Sequence, residues 1–405
     1  MKKLFEITLG LITSIGGFLE AGSIATSAQA GAEFKYQLIW AVALGTLCLI
    51  FLVEMSGRIA AVSGHTIAGA MRERFGFPFF LAPLVSVLLI SLLVLASEVG
   101  GICLALQLAT GVAFPWWAPV AALAVLVYLW KGNFGVVEKA AAILGLVTLV
   151  FLVGALRLGP PYGEVAHGLL PTLPASEKAR YWFIAVSILG ASISPYLFFF
   201  YSAGAVEEEW DESYLATNRI VSTLGMVFGG LLAIAVLVVA ALVYPPRGIK
   251  VDDYSQVALI LTDPLGRWGF ILFIVSLGVA CFGAAAEICL ASAYLVAQGL
   301  GWNWTKNEDP KDNARFTLVY TGVAILAALL MVTGLDPLKL TIFSMALTAL
   351  ALPPAIVPFL VIMNDERYVG RHRNGWFGNS VILLTICLAF VIAIVAIPLE
   401  VFGGS

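Results

Sequence analysis

Eleven apolar runs, most of them about twenty residues long, constrain this chain more than any other feature. They cover about 6–30, 37–62, 79–108, 116–130, 137–156, 182–205, 220–243, 267–299, 315–333, 338–362 and 379–401. A bilayer core takes ~20 apolar residues per crossing helix. Lipid leaves no backbone group unpaired, so runs of this length predict helices, not barrel strands. The fourth run is short and the eighth long, which leaves their boundaries soft. Only 12% of the residues are charged, against roughly 25% in soluble domains. Water is therefore not the main solvent of this fold. The formal charge of −3 argues against nucleic acid as a partner.

The basic residues set the orientation. With the N-terminus inside, the cytoplasmic segments hold Lys2, Lys3, Arg58, Arg72, Arg74, Lys131, Lys139, Arg219, Lys306, Lys311, Arg315, Arg367, Arg371 and Arg373. The other side keeps only Lys35, Arg157, Lys178, Arg180, Arg247, Lys250, Arg267 and Lys339. An odd number of spans then puts the C-terminus outside, and the two longest connections, 158–180 and 244–265, face outward with no soluble domain. Lys2 and Lys3 before an apolar stretch resemble a signal peptide, but the stretch runs into Gly16, Gly17 and Glu20 with no small-residue cleavage site. It is kept in the mature chain. Three histidines and five cysteines are too few for a metal cage or a disulfide framework. Cys48, Cys103, Cys281, Cys289 and Cys387 lie in apolar runs, where a thiol is a small hydrophobe, and none is spaced as a metal knuckle.

Two spans are interrupted. Span 1 contains Gly16-Gly17-Phe18-Leu19-Glu20-Ala21-Gly22-Ser23, a carboxylate among glycines in an apolar segment. Span 6 contains Ser192-Ile193-Ser194-Pro195-Tyr196, and proline removes a backbone donor and clashes one turn back. Opened backbone at membrane depth is tolerated only where it lines a cavity or is buried in protein. Spans 1 and 6 are corresponding members of two five-helix sets, and by span parity they run in opposite directions. Matching interruptions of this kind point to the binding site of an inverted-repeat transporter. Each taken alone also fits a simple kink or close helix packing.

Glu20 is the residue that packing explains least. A carboxylate at the centre of a span costs roughly 2.5–3.5 kcal/mol, so it must be paired, protonated or offered to a cation. Helix ends opened beside it expose carbonyl oxygens. Carboxylate, carbonyl, hydroxyl and water oxygens suit a hard cation such as magnesium, calcium or manganese.

At these residues the chain resembles the Nramp family of divalent-metal transporters. Ile15 to Trp40 is similar to that family's first span, where Asp-Pro-Gly-Asn precedes a QAGA-type stretch. The segment from Leu189 (LGASISPYLFFFYSA) aligns with its Met-Pro-His segment. Ala96-Ser97-Glu98-Val99-Gly100-Gly101 resembles its Ala-Glu-x-x-Gly-Gly element, and the run from Ala351 to Pro358 its Leu-Pro-Phe-Ala-x-x-Pro stretch. The match spans most of the chain in order. It implies an all-α, LeuT-like fold: an inverted repeat of five plus five helices, helices 1 and 6 interrupted, and an eleventh transmembrane helix. The chain then reads as one transporter domain over 1–405, with 1–157 and 181–362 as the repeats and 363–405 carrying the extra helix.

The departures bear on chemistry. The family's metal-binding Asp falls at Glu20, its Asn at Ser23, and its thioether-bearing Met at Ser194. Its span-6 histidines fall at Tyr196 and Tyr201. A span-3 Asp of the family's proton route falls at Leu95, although the neighbouring carboxylate survives as Glu98, and a span-10 Gln falls near Ala351. Loss of sulfur weakens selection against magnesium and calcium, and smaller side chains leave room for a partly hydrated ion. A site altered in this general way resembles that of the Nramp-related magnesium transporters, and it weakens the case for proton coupling.

The expected site has Glu20 as charged ligand, Ser23 and Ser194 as direct or water-mediated oxygens, and the carbonyls of Gly17 and Ala191. Tyr196 and Tyr201 shape the inner path and Glu98 its polar wall. Glu287 is expected at membrane depth, either in the pathway or in a helix–helix hydrogen bond. Glu54 and Glu138 are expected to pair near Arg58 and Lys139. His65, His167 and His372, and the acidic run Glu207-Glu208-Glu209-Trp210-Asp211-Glu212, read as solvated. Trp116, Trp117, Trp130, Trp268 and Trp302 fall at span ends, as an aromatic belt requires.

The expected function is transport of a divalent cation of the magnesium or manganese class across the cytoplasmic membrane by alternating access. The partners are the cation and the lipid bilayer, with no cofactor and no nucleic acid; the oligomeric state stays open, a monomer being plausible. No nucleophile–base pair, phosphate loop or HExxH helix is present, so no enzyme is expected. Two rivals remain open: a transporter of a small organic solute such as an amino acid, and a non-transporting sensor that kept the fold.

Overall fold

The computed structural model describes residues 20–133, 136, 145–172, 174, 176–249, 251 and 254–402. Its main helices are α1 (Ala21–Phe34), α2 (Ile39–Ser63), α3 (Ile67–Phe75), α4 (Phe77–Thr110), α5 (Ala118–Lys131), α6 (Leu149–Leu158), α7 (Lys178–Ser192), α8 (Pro195–Glu207), α9 (Leu215–Val243), α10 (Arg267–Leu300), α11 (Ala314–Val332), α12 (Pro337–Ile362) and α13 (Trp376–Phe402). No strand occurs among the described residues. Nine stretches among them are long and apolar enough to cross a bilayer, α7 and α8 counting as one. Of the other two expected spans, the first is described from Glu20 onward, and the fifth contributes α6. The chain is a multi-pass membrane protein.

Local chemistry fixes several helix ends. Asp336 accepts the amides of Leu338 at 2.9 Å and Lys339 at 3.2 Å, with Pro337 at the first helical position of α12, where its missing N–H is no loss. Gly111 ends α4 with φ +78°, a conformation that a Cβ penalises. Trp116 and Trp268 are exposed at helix starts, as the belt requires, and Trp376 at the start of α13 joins them.

Packing sorts the helices into two groups. α1, α2, α7, α8 and α9 pack on one another, with α1 against α9 and α2 against both α8 and α9. α4 packs against α10, and α11 against α5, α10 and α4. α12 lies between the groups, against α4 on one side and α7 on the other. Glu54 pairs with Arg58 at 2.9 Å, as expected; Glu138 and Lys139 lie outside the described residues, as does Gly17.

The connection after α9 departs from a simple outward loop. Val257, Ala258, Ile260 and Leu261 are fully buried, so this segment folds back onto the helices. The Tyr254 hydroxyl donates towards the Ala21 carbonyl at 3.4 Å and to Thr341 Oγ1 at 3.3 Å. It thus touches both α1 and α12.

Candidate functional site

The break in span 6 follows directly from Pro195. The residue before a proline is pushed out of the helical region, and Ser194 sits at φ −69°, ψ 117°. In an unbroken helix the Ala191 carbonyl would accept the amide of residue 195, and proline has none to give. Instead the Ser194 hydroxyl lies 3.3 Å from that carbonyl. Pro195 then starts α8 at its first position. The C-terminal end of α7, with its unpaired carbonyls, therefore meets the start of α8 inside the protein.

In span 1 the helix begins at Ala21, and Glu20 is the residue before it, extended at φ −110°, ψ 176°. The first amides of a helix need acceptors, yet the Glu20 side chain does not cap its own helix. Glu98 of α4 does so: its Oε2 accepts the Ala21 amide at 3.2 Å. A carboxylate at a helix N-terminus is favourably placed against the dipole. Glu20 is thereby free to turn towards the other broken helix. Its Oε1 accepts the Ser194 hydroxyl at 3.1 Å and its Oε2 the Tyr196 hydroxyl at 2.7 Å. Glu20 is 1% exposed and Glu98 fully buried.

These residues make a buried cluster of oxygen atoms. A carboxylate has about four lone-pair directions, and two hydroxyls leave room for a cation. The carbonyl end of α7 adds negative potential. Ser23 is buried in the first turn of α1, beside the site in sequence. The Ala191 carbonyl lies at this break, where it accepts the Ser194 hydroxyl. Tyr196, expected to shape the inner path, bonds the Glu20 carboxylate itself. Tyr201 lies five residues further along α8, about one and a half turns, and donates to Asn218 Oδ1 at 3.1 Å. Asn218 in turn donates to the Glu54 carbonyl at 2.8 Å, so Tyr201 ties α8 to α9 and α2. Glu287 of α10 is buried within Coulombic reach of Tyr196. Among the described residues no group of three or more His, Cys, Asp or Glu is placed to hold a metal ion.

Two features escaped sequence reading. Met345 of α12 is wedged between the broken spans: a Cβ at Gly190 would stand 1.8 Å from its carbonyl oxygen, and one at Gly22 2.3 Å from its Cε. The acidic run after α8 is solvated at Glu208, Glu209 and Glu212, but not at Glu207. The Glu207 carboxylate accepts from Tyr294 at 3.1 Å, Thr305 at 2.7 Å, the Lys306 amide at 2.6 Å and Asn307 at 2.8 Å. Lys306 is buried and donates to the Gly132 carbonyl at 2.5 Å. These bonds tie the end of α8 to the segments after α10 and α5. An apolar run flanked by charges carries no signal for such a tie.

Comparison with known proteins matches this arrangement. The family model described as "Natural resistance-associated macrophage protein-like" (Nramp) covers residues 10–399. A divalent metal cation transporter, MntH, of Deinococcus radiodurans is 25% identical over 373 residues, 89% of this chain and 82% of that protein. A manganese transporter structure from Eremococcus coleocola superposes with a TM-score of 0.80 at 20% identity, covering 98% of this chain and 88% of that one. MhsT, solved with L-phenylalanine, reaches 0.61 at 14% identity, covering 96% and 97%. These likenesses establish the fold as LeuT-like.

Proposed function

The chain belongs to the Nramp family, and on that footing we propose that it moves a divalent metal cation across the cytoplasmic membrane by alternating access. Members of the family are metal-ion transporters, not enzymes, and carry the cation as substrate, with no cofactor. The observation that carries the reading is the Glu20 carboxylate, buried where the two broken helices meet and bonded only by the hydroxyls of Ser194 and Tyr196 among the described residues. A buried carboxylate with neutral oxygens around it favours a cation over the carboxylate of an organic solute.

The cargo in this reading is a hard ion of the magnesium class, with manganese as its nearest competitor. Glu20 is the charged ligand. Ser23, Ser194 and the carbonyls of Gly17 and Ala191 supply oxygen directly or through water, and no thioether stands at position 194 to favour a softer metal. Tyr196 orients the carboxylate, Glu98 holds the helix start behind it, and Tyr201 lines the inner path. The N-terminus is cytoplasmic, and α1, α2, α7, α8 and α9 rock against the rest. Proton coupling is unnecessary for uptake. A membrane potential contributes roughly 2.3 kcal/mol per charge per 100 mV, so a divalent ion gains nearly 5 kcal/mol, more than a thousandfold in accumulation.

The direct test is Glu20→Ala in proteoliposomes. The variant should fold and elute as the parent does, and should lose metal influx; normal flux would contradict the site.

A further inference from the structure

The far end of α8 is fastened through one side chain. Glu207 is the last residue of that helix, and its two oxygens divide four donors between them. Oε1 takes the Tyr294 hydroxyl and the Lys306 amide, and Oε2 the Thr305 hydroxyl and the Asn307 side-chain amide. Tyr294 belongs to α10, and the other three to the connection that follows it. That connection is anchored in turn. The Lys306 ammonium donates to the Gly132 carbonyl just past α5, and Asn313 to the Thr305 carbonyl at 3.1 Å. The Trp304 ring stands edge-on to Tyr294, with centroids 5.7 Å apart.

The chemistry of this contact lets it open. None of the four donors is charged, so parting strands no cation. Asn307 is exposed, and at a wet site lost bonds are exchanged for bonds to water, at far less cost than in a buried interior. All four bonds end on one carboxylate, so a single displacement releases them together.

The position of α8 gives the contact a task. The helix has 13 residues, about 18 Å at 1.5 Å per residue. At its start Ser194 and Tyr196 bond Glu20, and midway Tyr201 bonds Asn218 of α9. It lies against both α2 and α10. One end therefore holds the buried carboxylate, while the other is fastened to the opposite group of helices.

We infer that Glu207 is a latch on the cytoplasmic mouth of the pathway: it releases residues 305–307 when the inner end of α8 parts from α10 to open the way out from Glu20. The inference rests on the orientation and the rocking motion proposed above, in which α8 moves with α1, α2, α7 and α9. A tie that only stabilises the fold stays made through the cycle, whereas a latch breaks in every turnover.

The test is to fix the contact shut. Glu207→Cys and Asn307→Cys are combined in the full-length protein and joined in detergent by a short bis-methanethiosulfonate. The parent, treated alike, controls for its own cysteines. After reconstitution, influx of whichever of magnesium and manganese the parent carries should be lost on linking and should return on reduction. Influx that persists in the linked protein would overturn the inference. Hydrogen exchange of Glu207→Gln supplies a readout that needs no transport, and it decides the matter if the cysteine pair alone stops influx. A parent without flux would count against the proposed function and leave this comparison standing. Exchange should quicken about threefold in residues 197–206 of α8 as well as in 301–313, because opening the mouth admits water along the helix. Quickening confined to 301–313 would mark a tie that does not gate, and would equally overturn the latch.

Discussion

The Tyr196 hydroxyl donates to Oε2 of Glu20 across 2.7 Å, and this bond joins the opened start of one broken helix to the opened start of the other. Both ends are prepared by other residues. Pro195 frees the turn that presents Tyr196 and Ser194, and Glu98 takes over the capping of α1 so that Glu20 need not do it. The carboxylate is thus positioned by three separate helices.

Tyr196→Phe keeps the ring and deletes the donor. Leaving a buried carboxylate oxygen unpaired costs about 1–3 kcal/mol, and orientation of Glu20 is lost with it. Half-saturating metal in initial-rate influx should rise about tenfold. Tyr201→Phe removes a hydroxyl bonded to Asn218 instead, and should leave that concentration within twofold of the parent. Equal effects of the two changes would separate Tyr196 from the site.

The two glycines against Met345 should behave differently. At Gly190 a Cβ meets backbone, the Met345 carbonyl oxygen at 1.8 Å, and two packed helices must move apart. Overpacking costs about 1–3 kcal/mol, and more when backbone must shift. At Gly22 the first atom met is the flexible Cε of Met345. Gly190→Ala should therefore lower the thermal midpoint in detergent sharply or abolish recoverable protein, while Gly22→Ala should cost less than half as much. The reverse order would contradict the observed packing.

Glu207→Ala withdraws an acceptor from four donors at once, including the Lys306 amide. Hydrogen exchange followed by mass spectrometry should show faster exchange across residues 301–313, with the buried 257–261 segment unchanged. Unaltered exchange across 301–313 would mean that Glu207 does not hold that segment.

Much of this architecture is legible in the sequence because lipid is a demanding solvent. A helix crossing it must be apolar and about twenty residues long, so the spans announce themselves, and Pro195 and the glycines beside Glu20 mark the two breaks. Glu20 is equally conspicuous there, since packing explains a carboxylate in such a run least. What stayed hidden depends on distance between segments. Tyr196 is one aromatic residue among several in PYLFFFY, and only the fold turns its hydroxyl onto Glu20. Glu207 opens a run of acids that reads as solvated, yet it meets four donors from residues 87 to 100 positions away. The apolar residues Val257 to Leu261 carried a signal for burial, but at five residues they were too short to read as a span.

The most direct test of the hard-oxygen site is influx into liposomes containing the purified protein, comparing magnesium with manganese while internal pH is followed. The account predicts magnesium entry driven by an imposed potential, without acidification, and its loss in Glu20→Ala. Manganese-selective uptake accompanied by acidification, with magnesium excluded, would contradict it.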